Sequence, residues 1–159
     1  MNWNLEKAKE FCKGLEISRG YGFSDYIVFT HAYHESGGFN RVIGKHNYWG
    51  IKKPKNWKGD FVIVITHEYI NEDEKIKIED KFIDFKTIEE AMDWYCNFIK
   101  RLYPNAYNNR DNPEGYFNGL VNGKLKYATD PKYAEKLIKL YYFLASKDEV
   151  RSLLKREIV

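Results

Sequence analysis

The chain is 159 residues long and carries 26 Lys and Arg against 23 Asp and Glu, a net charge of +3, which is the size and balance of one compact domain with its own core. That charge is too small and too evenly spread for a nucleic-acid footprint, yet compatible with an anionic polymer. No segment approaches the length of a membrane span and no basic start leads into an apolar run, so neither a span nor a leader is expected and the chain is read as made in the cytoplasm. No repeat or linker divides it, which predicts a single domain over 1–159. Aromatics reach 17%, with 13 Tyr and 4 Trp, a supply of amphipathic rings suited to cores and to wet clefts alike.

In chain order, apolar residues recur from Leu5 at Ala8, Phe11, Cys12 and Leu15, predicting an N-terminal helix over 4–17. Ser24 or Asp25 caps a second helix that Gly37 ends. Between Gly59 and Phe85 the pattern changes to β-branched runs broken by Asn71-Glu72-Asp73-Glu74, which reads as a β-hairpin. Thr87 with Glu90 forms a capping box for a helix that places Ile88, Ala91, Met92, Tyr95, Ile99 and Leu102 on one side. Asp130-Pro131 reads as a cap and first-turn proline for a helix burying Ala134, Leu137, Ile138, Tyr141 and Ala145. Ser146 with Glu149 opens a last helix over 146–157. The fold class is α+β, mainly helical with a small β-hairpin.

The second helix carries the most informative residue. Tyr26-Ile27-Val28-Phe29-Thr30-His31-Ala32-Tyr33-His34 is almost wholly apolar, and Glu35 follows it immediately before Ser36-Gly37-Gly38. Burial and the negative end of the helix dipole both disfavour an ionised carboxylate there, so its pKa should rise toward that of a general acid. On the hairpin, Thr66 and Glu68 share a strand face and His67 points the other way. A glycosidic bond is cut by one carboxylic acid that protonates the leaving oxygen and, in most families, by a second carboxylate. Glu35 and Glu68 facing each other across a cleft would meet that need.

Other chemistries fit less well. Cys12 and Cys96 occupy apolar-periodic helix positions, where a buried free thiol is expected rather than a disulfide or a nucleophile. His31 and Glu35 are i and i+4, but the spacing is not the His-Glu-x-x-His of a zinc protease and no third ligand is apparent. No metal and no cofactor are therefore expected.

The order Glu35-Ser36-Gly37, Asn47-Tyr48-Trp49-Gly50-Ile51-Lys52, Trp57-Lys58-Gly59, Thr66-His67-Glu68 and Tyr127-Ala128-Thr129-Asp130-Pro131 resembles the glucosaminidase family of peptidoglycan hydrolases, glycoside hydrolase family 73. The resemblance runs from about residue 24 to residue 145, with the N-terminal and C-terminal helices as packed extensions. It implies a lysozyme-like fold, with a helical lobe and a hairpin lobe flanking the cleft, and endo-β-N-acetylglucosaminidase activity on glycan strands of peptidoglycan. It also implies that Glu35 is the general acid. Glu68 matches the glutamate proposed as base in the family's mobile β-lobe, and Tyr127 matches a tyrosine that lies near the acid and assists. Asn47 and Trp49 match the family's Asn-aromatic-Gly-Ile-Lys stretch. With Tyr48 and Trp57 they are the expected substrate-binding residues, while Asp130 is read as structural.

The chain departs from the family at Gly38-Phe39, where the usual order of aromatic and glycine is reversed, and at Phe82-Ile83-Asp84-Phe85, where a Phe-Arg-x-Tyr element is usual. The first departure predicts a reshaped cleft wall. After Glu35 gives up its proton, the positive charge at the anomeric carbon is relieved by a water that Glu68 activates or by the substrate's own acetamido group, and the sequence leaves both routes open. The alternatives are a lytic transglycosylase or muramidase using the same acid on the other linkage, and an inactive glycan-binding module. The protein is expected to be a monomer that reaches the cell wall by release or delivery.

Overall fold

The computed structural model describes residues 1–155, with the side chains of Thr66, Glu68 and Tyr69 outside that description. The N-terminal segment is not one helix over 4–17 but two, α1 (Leu5–Cys12) and α2 (Leu15–Gly20). The break falls at Gly14, where a Cβ would stand 2.8 Å from Cγ1 of Ile88. Close approach to that residue requires glycine, and glycine interrupts the helix.

Helix α3 (Asp25–Glu35) is the axis of the fold: Ile27, Val28, Phe29, Thr30, His31 and Ala32 are all buried, as an apolar run with no polar face demands. Phe29 meets the rings of Phe11 at 6.2 Å and Phe39 at 5.2 Å. The helix ends in an unusual turn in which Gly37, Gly38 and Phe39 have φ of 59°, 71° and 64°. The Ser36 hydroxyl donates to the Ala32 carbonyl at 2.7 Å and accepts the Phe39 N–H at 2.9 Å. This left-handed passage turns the Phe39 ring into the core among Phe11, Phe29, Tyr33 and Tyr48, so the reversed Gly-Phe order supplies a core residue. Burial of that ring offsets the conformational cost of a non-glycine residue at positive φ.

The hairpin forms as predicted, β1 (Phe61–Tyr69) pairing antiparallel with β2 (Lys75–Ile83) from Phe61↔Ile83 to Tyr69↔Lys75. Asn71 closes its turn by accepting the N–H groups of Asp73 and Glu74, both at 2.9 Å, an Asx turn. Phe61, Ile63 and Ile65 alternate on an exposed face, and among the described residues the two strands contact each other far more than any helix.

The rest is helical: α4 (Ile88–Leu102), α5 (Pro104–Tyr107), α6 (Pro113–Asn122), α7 (Tyr133–Ala145) and α8 (Asp148–Leu154). Thr87 caps α4 as expected, accepting the Glu90 N–H at 3.1 Å. Two boundaries differ from expectation. Asp130 does not cap α7 directly; its carboxylate accepts the Lys132 N–H at 2.9 Å and its carbonyl the Tyr133 N–H at 3.1 Å, which forms a turn ahead of the helix. Ser146 closes α7 instead of opening α8, since its hydroxyl donates to the Phe143 carbonyl at 2.7 Å. Residues 156 and 157 of the predicted last helix lie outside the described residues.

Asn47 ties the two lobes together. Its side-chain amide donates to the carbonyls of Ile51 and Ile83, each at 2.9 Å, and its oxygen accepts the Ile51 N–H at 3.0 Å. Residues 51–53 then run along the base of β2, with Ile83 N–H donating to the Ile51 carbonyl and Lys53 N–H to the Lys81 carbonyl. Asn47, expected from the sequence to bind substrate, is buried, and its hydrogen bonds fasten the backbone at Ile51 and Ile83. Tyr48 and Trp49, the aromatic neighbours expected to bind substrate, are buried as well. Tyr48 pairs its hydroxyl with His46 Nδ1 at 3.0 Å, and Trp49 stacks on Tyr95 at 4.2 Å and 17°. Neither ring keeps the wet face that a sugar platform needs.

Asn47→Ala should cost about 2–3 kcal/mol, because it leaves a buried N–H unpaired and removes a donor from two carbonyls. Urea unfolding measures this, and a loss under about 0.5 kcal/mol would mean that the lobes hold together without the side chain.

Candidate active site

Glu35 occupies the last position of α3, with its side chain 22% exposed. Burial raises its pKa, and a hydrogen bond from Tyr133 only partly offsets the rise. The carboxyl group is thus held toward its protonated form while one edge stays open to solvent. Tyr133, in the first turn of α7, donates its hydroxyl to Oε1 of Glu35. The contact joins α3 and α7, two helices that pack against each other.

Behind this pair lies His31, one turn earlier on α3 and fully buried. Its Nε2 is 3.0 Å from the Tyr133 hydroxyl and 3.9 Å from Glu35 Oε1. The short distance to a carboxylate suggests an ion pair, but burial drives the His31 pKa down to about 3, helped by His34 nearby. The imidazole is neutral at working pH, and its partner is the tyrosine rather than the carboxylate. His34 is half-buried with its ring 5.5 Å from that of Tyr133.

Tyr127, named from the sequence as the assisting tyrosine, lies one ring away from the acid. It stacks on Tyr133 at 6.1 Å and 14°, meets the His31 ring at 4.5 Å, and donates its hydroxyl to the Trp49 carbonyl at 3.0 Å. Burial and the charge of Glu35 push its pKa well above the usual phenol range. Sequence reasoning missed Tyr133, the tyrosine that touches Glu35, because nothing in its flanking residues separates it from a core aromatic at the start of a helix.

Tyr127 also lines a cavity of about 330 Å³ with Gly50, Ile51, Lys52, Phe98 and Tyr103. Phe98 is shared with a second cavity of about 320 Å³, to which Trp57, Trp94 and Arg101 contribute. Trp57, one of the expected substrate-binding aromatics, lines this second cavity: it is half-buried, anchored by its indole N–H to the Asp60 carbonyl at 2.9 Å, with its ring perpendicular to Trp94. Glu68 pairs with Ile76 near the hairpin tip, and its side chain lies outside the described residues. Cys12 is half-buried and Cys96 buried, both free thiols. Burial pushes the Cys12 pKa up to about 12 and that of Cys96 higher still, which disfavours the thiolate form that a nucleophile needs.

Residues 14–145 match the Glucosaminidase family model, described as mannosyl-glycoprotein endo-beta-N-acetylglucosaminidase. The peptidoglycan hydrolase FlgJ of Vibrio cholerae is 26% identical over 134 residues, covering 79% of this chain and 39% of that protein. FlgJ of Salmonella typhimurium is 30% identical over 155 residues, covering 89% of this chain and 48% of the relative. The chain therefore spans less than half the length of these curated relatives. A C-terminally truncated glycoside hydrolase domain of Salmonella typhimurium FlgJ superposes with a TM-score of 0.68 at 28% identity, over 89% of this chain and 99% of that one.

Tyr133→Phe removes the donor that favours ionised Glu35, so the carboxyl pKa should rise further. If protonated Glu35 is the working form, the alkaline limb of the pH–rate profile moves to higher pH in this variant. An unmoved limb would show that Tyr133 does not act on the ionisation that limits turnover.

Proposed function

This chain belongs to the glucosaminidase family, and we propose that it hydrolyses peptidoglycan as an endo-β-N-acetylglucosaminidase, cutting the GlcNAc-β-1,4-MurNAc linkage of the glycan strand. The observation that carries this reading is Glu35 itself, a carboxyl group that burial keeps toward its protonated form at the end of a buried helix, with one edge open. The FlgJ relatives are peptidoglycan hydrolases by name, and the motifs at Glu35, Glu68 and Tyr127 resemble those of the glucosaminidase family.

In the proposed reaction the strand lies between the helical lobe and the hairpin. Trp57 and the aromatic walls of the two cavities offer ring faces to the sugars. Glu35 passes its proton to the glycosidic oxygen as the bond to the anomeric carbon breaks. The electron-poor carbon takes the oxygen of a water whose proton goes to Glu68, or is first captured by the oxygen of the neighbouring acetamido group and released by water afterwards. Either route consumes one water, leaves a reducing N-acetylglucosamine end and a free hydroxyl on the muramic acid, and needs neither metal nor cofactor. Tyr127, hydrogen-bonded to the Trp49 carbonyl and stacked on Tyr133, orients the acid's surroundings without exchanging protons. The bacterial cell wall is the place of action on this reading.

Digestion of purified peptidoglycan, followed by borohydride reduction and mass spectrometry, is the direct test. Wild type should release fragments with reduced N-acetylglucosamine ends, and Glu35→Gln should lower their release by at least about 100-fold. Muramic or anhydromuramic ends would make the enzyme a muramidase or lytic transglycosylase, and binding without release would make it a glycan-binding module.

Glu68→Gln separates the two routes. A loss approaching that of Glu35→Gln identifies Glu68 as the base, whereas retention of most turnover assigns the second step to the acetamido group.

A further inference from the structure

The hydrogen bond from Tyr133 to Glu35 is the last link of a longer chain. His31 Nε2 lies 3.0 Å from the Tyr133 hydroxyl, His31 Nδ1 lies 2.5 Å from the Tyr95 hydroxyl, and Tyr95 lies 2.6 Å from the Tyr116 hydroxyl. His31, Tyr95 and Tyr116 are fully buried and Tyr133 nearly so. Four elements supply the links: α3 gives His31, α4 gives Tyr95, α6 gives Tyr116 and α7 gives Tyr133. Buried polar groups must be paired, and a neutral imidazole has one donor and one acceptor nitrogen, so the protons along this chain have a single consistent direction.

That direction follows from its end point. Tyr133 has one proton and spends it on Glu35 Oε1, so its oxygen must accept from His31, and Nε2 must carry the imidazole proton. Nδ1 is then an acceptor, which makes Tyr95 a donor to it, and the Tyr95 oxygen accepts from Tyr116. The opposite tautomer would turn the Tyr133 proton toward His31 and strip Glu35 of its donor.

We propose that His31 is a positioning residue of the active site, held as the neutral Nε2–H tautomer by Tyr95 and Tyr116, and that it commits the Tyr133 proton to Oε1 of Glu35. With Oε1 occupied as an acceptor, the proton that Glu35 transfers resides on Oε2. The network therefore selects the oxygen that faces the glycosidic bond. His31 never touches substrate and undergoes no change of charge in the reaction. This assignment rests on the proposed role of Glu35 as acid.

Two readouts test it. In wild-type protein labelled with ¹⁵N-histidine, the imidazole shifts should identify His31 as the Nε2–H tautomer; an Nδ1–H tautomer reverses the chain and overturns the proposal. For turnover on solubilised glycan strands, His31→Leu keeps an apolar side chain in the site but offers no donor, and should lower kcat by at least about tenfold with KM within about twofold. His31→Gln offers an amide donor and an acceptor oxygen, and should retain kcat within about threefold of wild type. Full kcat in His31→Leu, or an equal fall in both variants, overturns the proposal. If His31→Leu does not fold, Tyr95→Phe replaces it, and unchanged kcat in that variant is again a refutation. A wild type that releases no reducing ends refutes the proposed function instead, while the tautomer measurement still reports on the network.

Discussion

A carboxyl group that is nearly, but not entirely, taken out of water governs the organisation of this protein. A fully exposed Glu35 would ionise like any surface glutamate, and a fully enclosed one could not meet a substrate. The intermediate condition is produced by a helix buried on all sides that ends in mid-surface, with the chain leaving through Gly37, Gly38 and Phe39 in left-handed conformations. The buried Phe39 ring fixes where α3 stops, and that stop places the carboxyl group at the boundary between core and solvent.

The aromatic composition takes a different meaning in that setting. Rings that sequence reasoning offered to a glycan turn out to build the interior: Trp49 stacks on Tyr95, and Tyr48 closes on Phe11 at 5.0 Å. Tyrosine serves here as a core residue with a polar end. Tyr95, Tyr116 and Tyr133 contribute apolar area while their hydroxyls satisfy one another and His31. A centre so arranged is rigid in its proton positions as well as in its packing.

Local signals in the sequence were readable where a local cause sets the structure. Thr87-x-x-Glu90 started a helix where it should, and the β-branched runs around a polar turn gave the hairpin. Asn112-Pro113-Glu114 carries an equally good start signal for α6, and in the structure Asn112 caps it by accepting the Gly115 N–H. Gly14 broke a helix because of Ile88, far along the chain, and no inspection of residues 4–17 reveals that neighbour. The site divided in the same way. Glu35 was legible from its own flanking residues, whereas Tyr133 gains its meaning only from a partner 98 positions away. Asn47 was recognised within its motif, but its three hydrogen bonds are to backbone that only the folded chain brings near.

The fastening at Asn47 lies at one end of a long, narrow hairpin. Glu68 is seven residues along β1 from Phe61, roughly 23 Å at the rise of an extended strand. A hairpin held chiefly at its base is a lever with its fulcrum at residues 47–51. A tilt of only about ten degrees there carries the Glu68 backbone roughly 4 Å at this length. Substitutions around the fulcrum would then alter the distance between the hairpin tip and Glu35 without touching either of them.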